Sequence, residues 1–206
     1  MLIDFGRQMK RLSDIVGAAA AGVVFSPVIA LIVSRLANED GGMLYKQSRI
    51  GRLGKRFDVI KFRSMVPNAD LVLSDILKNN PECREEWAKD MKLKNDPRIT
   101  EIGRFLRRTS LDELPQLINV IKGEMSLVGP RPIVDSELSL YGRSAKYYLS
   151  VNPGMTGLWQ VSGRNNISYK RRIAMDRYYV VNRGIMLDAY ILLKTLRVLY
   201  SNEGAY

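Results

Sequence analysis

Twenty consecutive residues, Ile15 to Ser34, carry no charge, and a proline stands near their middle. A helix of that length is enough to cross the hydrocarbon core of a bilayer, so this run constrains the fold more than any other stretch. Its centre reads Phe25-Ser26-Pro27-Val28. Pro27 has no N–H to give the carbonyl of Val23, and its ring crowds that carbonyl, so a kink is predicted there. The Ser26 hydroxyl can bond back to the freed backbone, which makes a break tolerable in lipid. Arg7, Lys10 and Arg11 precede the run, and Arg35, Lys46, Arg49 and Arg52 follow it. Cationic flanks prefer the cytoplasmic side. With both flanks basic, a kinked helix becomes a re-entrant hairpin broken at Ser26 and Pro27; a spanning anchor that tolerates its proline is the other reading. A secretory signal fits poorly, because the run exceeds a usual h-region and Asn38-Glu39-Asp40 is a poor cleavage zone.

The division that follows is a membrane segment over residues 1–40 and a single domain over residues 41–206, a size suited to one core. Thirty-two basic residues against 21 acidic ones give a net charge of +11. Such a surface selects anionic partners: nucleic acid, acidic lipid headgroups or a phosphorylated substrate. The chain has no histidine and one cysteine, Cys83. That excludes a histidine-based triad, all but excludes a zinc site, and suits a reducing compartment. Chemistry must rest on carboxylates, Lys, Arg, Tyr, Ser or a bound hard cation.

One stretch concentrates those groups. Asp112 and Glu113, within Ser110-Leu111-Asp112-Glu113-Leu114-Pro115-Gln116, lie between Arg104, Arg107 and Arg108 on one side and Gly129-Pro130-Arg131-Pro132 on the other. Arginines grip phosphate bidentately, and a carboxylate can serve as nucleophile, base or metal ligand. Ser110 and Glu113 also fit a capping box. Pro115 argues against it, since its missing N–H would then cost a helical bond. The helix then starts nearer Pro115, with the two acids on the preceding turn and close to its positive end. Prolines on both sides hold Arg131 extended.

Residues Leu44 to Ile50 and Arg56 to Phe62 read as strands around a Gly51-Arg52-Leu53-Gly54 turn. This basic hairpin could lie on anionic membrane lipids. Lys61-Phe62-Arg63-Ser64-Met65 leads into a polar helical cover, Asn68 to Asn79 and Pro81 to Lys92. Thr100 caps a helix through Phe105 to Arg108, and Gly123 ends the helix after the acidic pair. Asn152-Pro153-Gly154 and Gly157 to Arg164 read as a turn, a strand-like run and a second turn. Two amphipathic helices follow, Tyr169 to Val181 and Met186 to Tyr200, the last apolar enough to pack on the domain or lie on a membrane. The fold class is α+β, mainly helical: a re-entrant, kinked membrane helix plus a small cytosolic domain with a short β-hairpin and amphipathic interfacial helices. Neither a dinucleotide nor a phosphate-loop glycine motif is present. A membrane-anchored nucleic-acid-binding protein is the alternative class, but no recognition helix or RNA-binding motif supports it.

The Ser26-Pro27 break, Lys61 to Met65, Ser110 to Gln116, Ser126 to Pro132 and Gly157-Leu158-Trp159-Gln160-Val161-Ser162-Gly163-Arg164 occur in this order. Together they resemble the bacterial sugar transferases, the monotopic phosphoglycosyl transferases that act on polyprenyl phosphate. The closing Asn202 to Tyr206 and the tail after Pro153 resemble hexose-1-phosphate transferases of exopolysaccharide and O-antigen pathways, whose long members carry further N-terminal membrane helices and another domain. The chain is similar to their catalytic unit standing alone. The resemblance implies a re-entrant helix and a site at the cytoplasmic face of the bacterial inner membrane. Asp112 would attack a UDP-sugar, release UMP and hold the sugar phosphate until undecaprenyl phosphate takes it. Glu113 would assist, as a ligand of Mg²⁺ together with Asp112 or by activating the acceptor. By the same resemblance Arg107 and Arg131 bind phosphate, and Lys61, with Arg63 beside it, belongs to the substrate site. Galactose and glucose are the leading sugars, a homo-oligomer is possible, and nucleic acid is not expected as a partner.

Overall fold

The computed structural model describes residues 2–90, 93–163 and 167–201. Lys92, Arg164 and the Asn202 to Tyr206 tail named above lie outside them. A 35-residue helix, α1 (Leu2–Leu36), precedes an antiparallel hairpin of β1 (Leu44–Ile50) and β2 (Arg56–Phe62). Both strands have the expected bounds. Leu53 sits in the turn at φ 59°, so the reversal there uses a left-handed residue besides Gly54. The polar helices α2 (Ala69–Asn79) and α3 (Pro81–Asp90) follow, and α2 buries no residue, as expected of a cover.

Helix α4 (Glu101–Thr109) begins where Thr100 Oγ1 accepts the N–H of Gly103. Its end departs from the capping-box pattern. Ser110 adopts φ 56°, ψ 16° as the left-handed cap of α4, and its side chain caps nothing. A single 3₁₀ turn, Leu111–Glu113, comes next, and α5 (Gln116–Lys122) starts after Pro115 and stops at Gly123, φ 86°. The proline therefore occupies the entry to a helix, where its absent N–H breaks no bond.

The next elements are β3 (Ser126–Val128), α6 (Asp135–Tyr141), α7 (Ala145–Tyr148) and β4 (Gly154–Thr156), and β3 pairs with β4 in parallel. That pairing is not foreseen above. The strand-like run expected after Gly157 is instead a succession of turns from Leu158 to Gly163, and the strand is the three residues before it. The last two helices are α8 (Tyr169–Asn182) and α9 (Ile185–Ser201). Tyr178, Val181, Ile185, Met186, Leu193 and Leu196 remain exposed on them, while Tyr179 and Ile191 are buried against Val128.

Helix α1 is docked at both ends. Near its start, Arg11 donates to the carbonyls of Val120 and Ile121 at the C-terminal end of α5, where a cation also meets the negative end of the helix dipole. Lys10 bridges Asp14, at 2.8 Å, and Asp188 of α9, at 3.0 Å, and Asp14 accepts the N–H of Leu127. Ala18 and Ala21 then pack on Val59, Val120 and Met125. Near its other end, Ile32 and Leu36 join Phe62 and Leu106. Between the two contacts, Val23 and Val24 are 75% and 71% exposed. The helix runs through Pro27 as one element, without the interruption expected at Ser26 and Pro27, and Ser26 Oγ donates to the carbonyl of Val23 at 2.8 Å, the acceptor that proline leaves free.

Candidate active site

Three chain segments bring charged groups to one place. Strand β2 supplies Lys61, α4 supplies Arg107, and the 3₁₀ turn supplies Asp112 and Glu113. Their alignment depends on Asn119 of α5, fully buried, whose side chain accepts the N–H of Ile60 and donates to the carbonyl of Asp58 and to Glu124. These bonds fix α5 against the open edge of β2. Lys61 Nζ then meets Glu113 Oε1 at 2.6 Å. Arg107 is positioned through Ser64: its Nε donates to Ser64 Oγ at 2.8 Å, while α4 passes so close that a Cβ on Gly103 would lie 2.0 Å from the Ser64 carbonyl oxygen. Only glycine permits that approach.

Asp112 is 8% exposed. Burial pushes its carboxyl up to about 6; the charge of Glu113 adds to this, and Lys61 and Arg107 oppose it. Burial works against a charge on Glu113 as well, yet Lys61, bonded to it, and the field of Arg131 hold its carboxyl below the usual range. Adjacent acids thus have opposite perturbations, the pattern that separates roles within a site. For Arg107, burial lowers the pKa, while Asp112 and Asp96 favour its charge.

Arg131 is exposed, and among the described residues its guanidinium makes no hydrogen bond or ion pair. The loop beneath it is fixed on both sides. Gly129 donates to Thr156, Gly154 donates to the carbonyl of Pro130, and a Cβ on Gly154 would meet the Gly129 nitrogen at 2.1 Å. Ile133 pairs with Ile50 and its N–H reaches the Tyr148 hydroxyl. A free cation on a rigid loop, with its field on Glu113, is suited to hold an anionic ligand. Arg63 is placed otherwise: it donates to the carbonyls of Gly42 and Leu44 and so secures the approach to β1.

Sequence reasoning missed a second polar group beside Arg131. Asp176 of α8 is 2% exposed, and its Oδ2 accepts the Tyr141 hydroxyl at 2.8 Å. Oδ1 has no partner among the described residues, and burial pushes this carboxyl up to about 7, although Tyr141 and Arg131 stabilise its charge. Arg172, one turn earlier, stacks over Trp159 at 4.6 Å. The only signal in the sequence is a lone acid within the basic run Lys170-Arg171-Arg172 to Arg177.

The profile of the bacterial sugar transferase matches residues 5–202, nearly the whole chain. The chain belongs to the bacterial sugar transferase family. Among its relatives, the undecaprenyl-phosphate galactose phosphotransferase of Salmonella typhimurium is 52% identical over 97% of this chain and 42% of that protein. The UDP-galactose-lipid carrier transferase of Erwinia amylovora is 49% identical over the same shares. The exopolysaccharide production protein ExoY of Rhizobium meliloti is 46% identical over 98% of this chain and 89% of that protein. The chain thus spans about two-fifths of the length of the first two relatives and nearly all of the third. Within this sugar transferase, Lys61, Arg107, Asp112, Glu113 and Arg131 act on one another through contact or charge, and Arg63 is engaged elsewhere.

Proposed function

We propose that this sugar transferase moves a sugar-1-phosphate from a UDP-sugar to undecaprenyl phosphate by way of a phosphosugar bound covalently to Asp112. The observation that carries this reading is the geometry of the dyad: Asp112, 8% exposed, beside a Glu113 bonded to Lys61 at 2.6 Å, an arrangement in which burial raises the Asp112 carboxyl while Lys61 and Arg131 hold that of Glu113 down. A carboxylate shielded from water is a stronger nucleophile once charged, and nearby cations bring the phosphate to it. An Asp112 oxygen attacks the β-phosphorus, the bond from that phosphorus to the bridging oxygen breaks, and UMP leaves. An oxygen of the lipid phosphate then attacks the same phosphorus and frees the carboxylate. Two unit anions about 4 Å apart repel by roughly 4 kcal/mol at intermediate dielectric, so each step needs the guanidiniums of Arg107 and Arg131. Glu113, fixed by Lys61, is placed to orient the acceptor phosphate.

Among the described residues no three His, Cys, Asp or Glu side chains gather. The two adjacent carboxylates still suit Mg²⁺, which commonly takes one or two carboxylates and completes its shell from substrate phosphates and water. Asp112 and Glu113 would hold it. When bound, it supplies neutralisation of the diphosphate charge.

The same domain grips α1 before and after Pro27, through Arg11 and Asp14 on one side and Ile32 and Leu36 on the other. A helix passing straight through a bilayer would leave its far end out of a water-soluble domain's reach. This supports a helix that enters and leaves by one face, with the exposed Val23 and Val24 deepest, and with the cationic flanks placing that face in the cytoplasm of a bacterial inner membrane. UDP-galactose is the first donor to test, given the names of two relatives. A panel of UDP-sugars, assayed for UMP release in detergent with undecaprenyl phosphate, should give lipid-dependent release with one of them. Lipid-independent turnover, or release with none, overturns the proposal.

A further inference from the structure

The turn Asp96-Pro97-Arg98 buries two charges outside the acidic dyad. Asp96 is 7% exposed and Arg98 is 6% exposed. Asp96 Oδ1 accepts the backbone N–H of Arg98 at 3.0 Å and its Nε at 2.9 Å, and Oδ2 accepts Nη2 at 2.7 Å. Trp87 of α3 covers this guanidinium, 5.2 Å from the ring centroid. Taking both charges out of water offsets much of their attraction, so stability alone is a weak reason for the pair. Both sides of the turn lead to Arg107. The Arg98 carbonyl accepts the N–H of Val66 at 2.8 Å, and the N–H of Thr100 donates to the Ser64 carbonyl at 3.2 Å. Ile99 pairs with Met65 between them. These contacts hold Ser64, whose hydroxyl accepts Arg107 Nε at 2.8 Å. Thr100 also caps α4, the helix that carries Arg107. One turn thus holds both partners of the Arg107–Ser64 hydrogen bond.

We propose that Asp96 and Arg98 are positioning residues for sugar-phosphate transfer, their ion pair fixing the turn that sets Arg107 against Asp112. The inference rests on the role given to Arg107 in the reaction above. A carboxylate gripped by the planar fork of an arginine has one geometry, and the backbone bond to the same carboxylate passes that geometry to the chain. Movement of the turn shifts Ser64 and the start of α4 together. A guanidinium displaced by about 1 Å no longer matches the charge developing on the phosphoryl group. Charge acts in the same direction. Asp96 favours the cationic form of Arg107 and Arg98 opposes it, so a neutral residue at 96 leaves Arg98 as an uncompensated cation that repels Arg107. Asp96 and Arg98 act through Arg107 and not on the substrate.

A double-mutant cycle on the full chain in detergent tests this. The readout is the rate at which the covalent phosphosugar forms, by intact mass, with saturating UDP-galactose or whichever donor of the panel above proves active. Asp96→Asn should slow this step about tenfold or more, as for a misplaced catalytic group. Arg107→Lys keeps the charge, loses the fork and should slow it as well. The double variant should be no slower than Arg107→Lys alone, because the group that Asp96 positions is already lost. A wild-type rate in Asp96→Asn overturns the proposal. So does slowing by the same factor in both backgrounds, which is the result for a pair that only stabilises the fold. Should Asp96→Asn not fold, Arg98→Lys, which also keeps charge and loses the fork, enters the same cycle with the same two readings. Should Arg107→Lys leave no measurable rate, Ser64→Ala replaces it: this variant should be slow and no slower with Asp96→Asn added, and a wild-type rate for it overturns the proposal. Absence of adduct in the wild type contradicts the aspartyl intermediate instead, and the cycle is then read from lipid-linked product, with the same outcomes.

Discussion

Replacing Asp112 with Asn removes the charge and keeps the shape, so it separates reactivity from packing. Transfer should stop, because an amide cannot form the phosphosugar. The same change should stabilise the protein at alkaline pH. Asp112 is 8% exposed, and burial raises its carboxyl from 3.8 to about 6. The folded state therefore holds a proton that the unfolded state has lost between these values, and folding loses stability as the pH climbs through that window. Above it the loss is complete, at about 3 kcal/mol; at pH 4.5 about 1 kcal/mol of it has accrued. Asn carries no such penalty. For a chain of this size each kcal/mol moves Tm by about 2–4 °C, so Asp112→Asn should melt about 6–12 °C above wild type at pH 8 and about 2–4 °C above it at pH 4.5. Thermal unfolding in detergent, followed by far-ultraviolet circular dichroism, reads both. A variant no more stable than wild type at pH 8, or a gain equal at both pH values, refutes the argument that Asp112 is held in a desolvated site.

Lys61→Met removes the largest cationic influence on Asp112; the acid limb of the wild-type rate profile should lie near pH 6, and in this variant it should move to higher pH while the rate falls. A profile that keeps its midpoint contradicts the assignment. Gly103→Ala forces α4 away from the Ser64 carbonyl, only 2.0 Å from the added carbon, and displaces Arg107 with it; transfer should drop about tenfold or more, as for misplaced catalytic groups, and unaltered kinetics would show that α4 yields freely. Asp176→Asn should raise Tm at pH 8, because burial keeps that carboxyl near 7, and the gain should shrink as the pH falls towards 4.5; a constant gain across this range contradicts the burial argument.

Local chemistry made much of this fold legible. The alternation around Gly51 to Gly54 gave both strands, Thr100 and Gly123 marked helix ends, and Pro115 placed the acidic pair on a turn before α5. The Ser26 back-bond to Val23 followed from the missing proline N–H. Two kinds of feature escaped. Ser110 takes a left-handed conformation because α4 must end and reverse within one residue, a tertiary demand that overrides its capping propensity. The β3–β4 pair joins three-residue strands about 25 positions apart, and the backbone approach of Gly129 to Gly154 that secures it has no periodic signature. In the site, Asp112 and Glu113 between Arg107 and Arg131 were readable as charges near one another in sequence, whereas Lys61 came only with the family resemblance. Asp176 was not, since an acid on a polar helix reads as solvated until Tyr141 and the packed loop enclose it.

The most direct measurement is the mass of the intact protein after mixing with the UDP-sugar and no lipid, followed by peptide mapping. The mass should increase by one sugar phosphate, on a peptide containing Asp112, and return to its starting value when undecaprenyl phosphate is added. An adduct on another residue, or lipid product formed with no adduct at any time, contradicts the account.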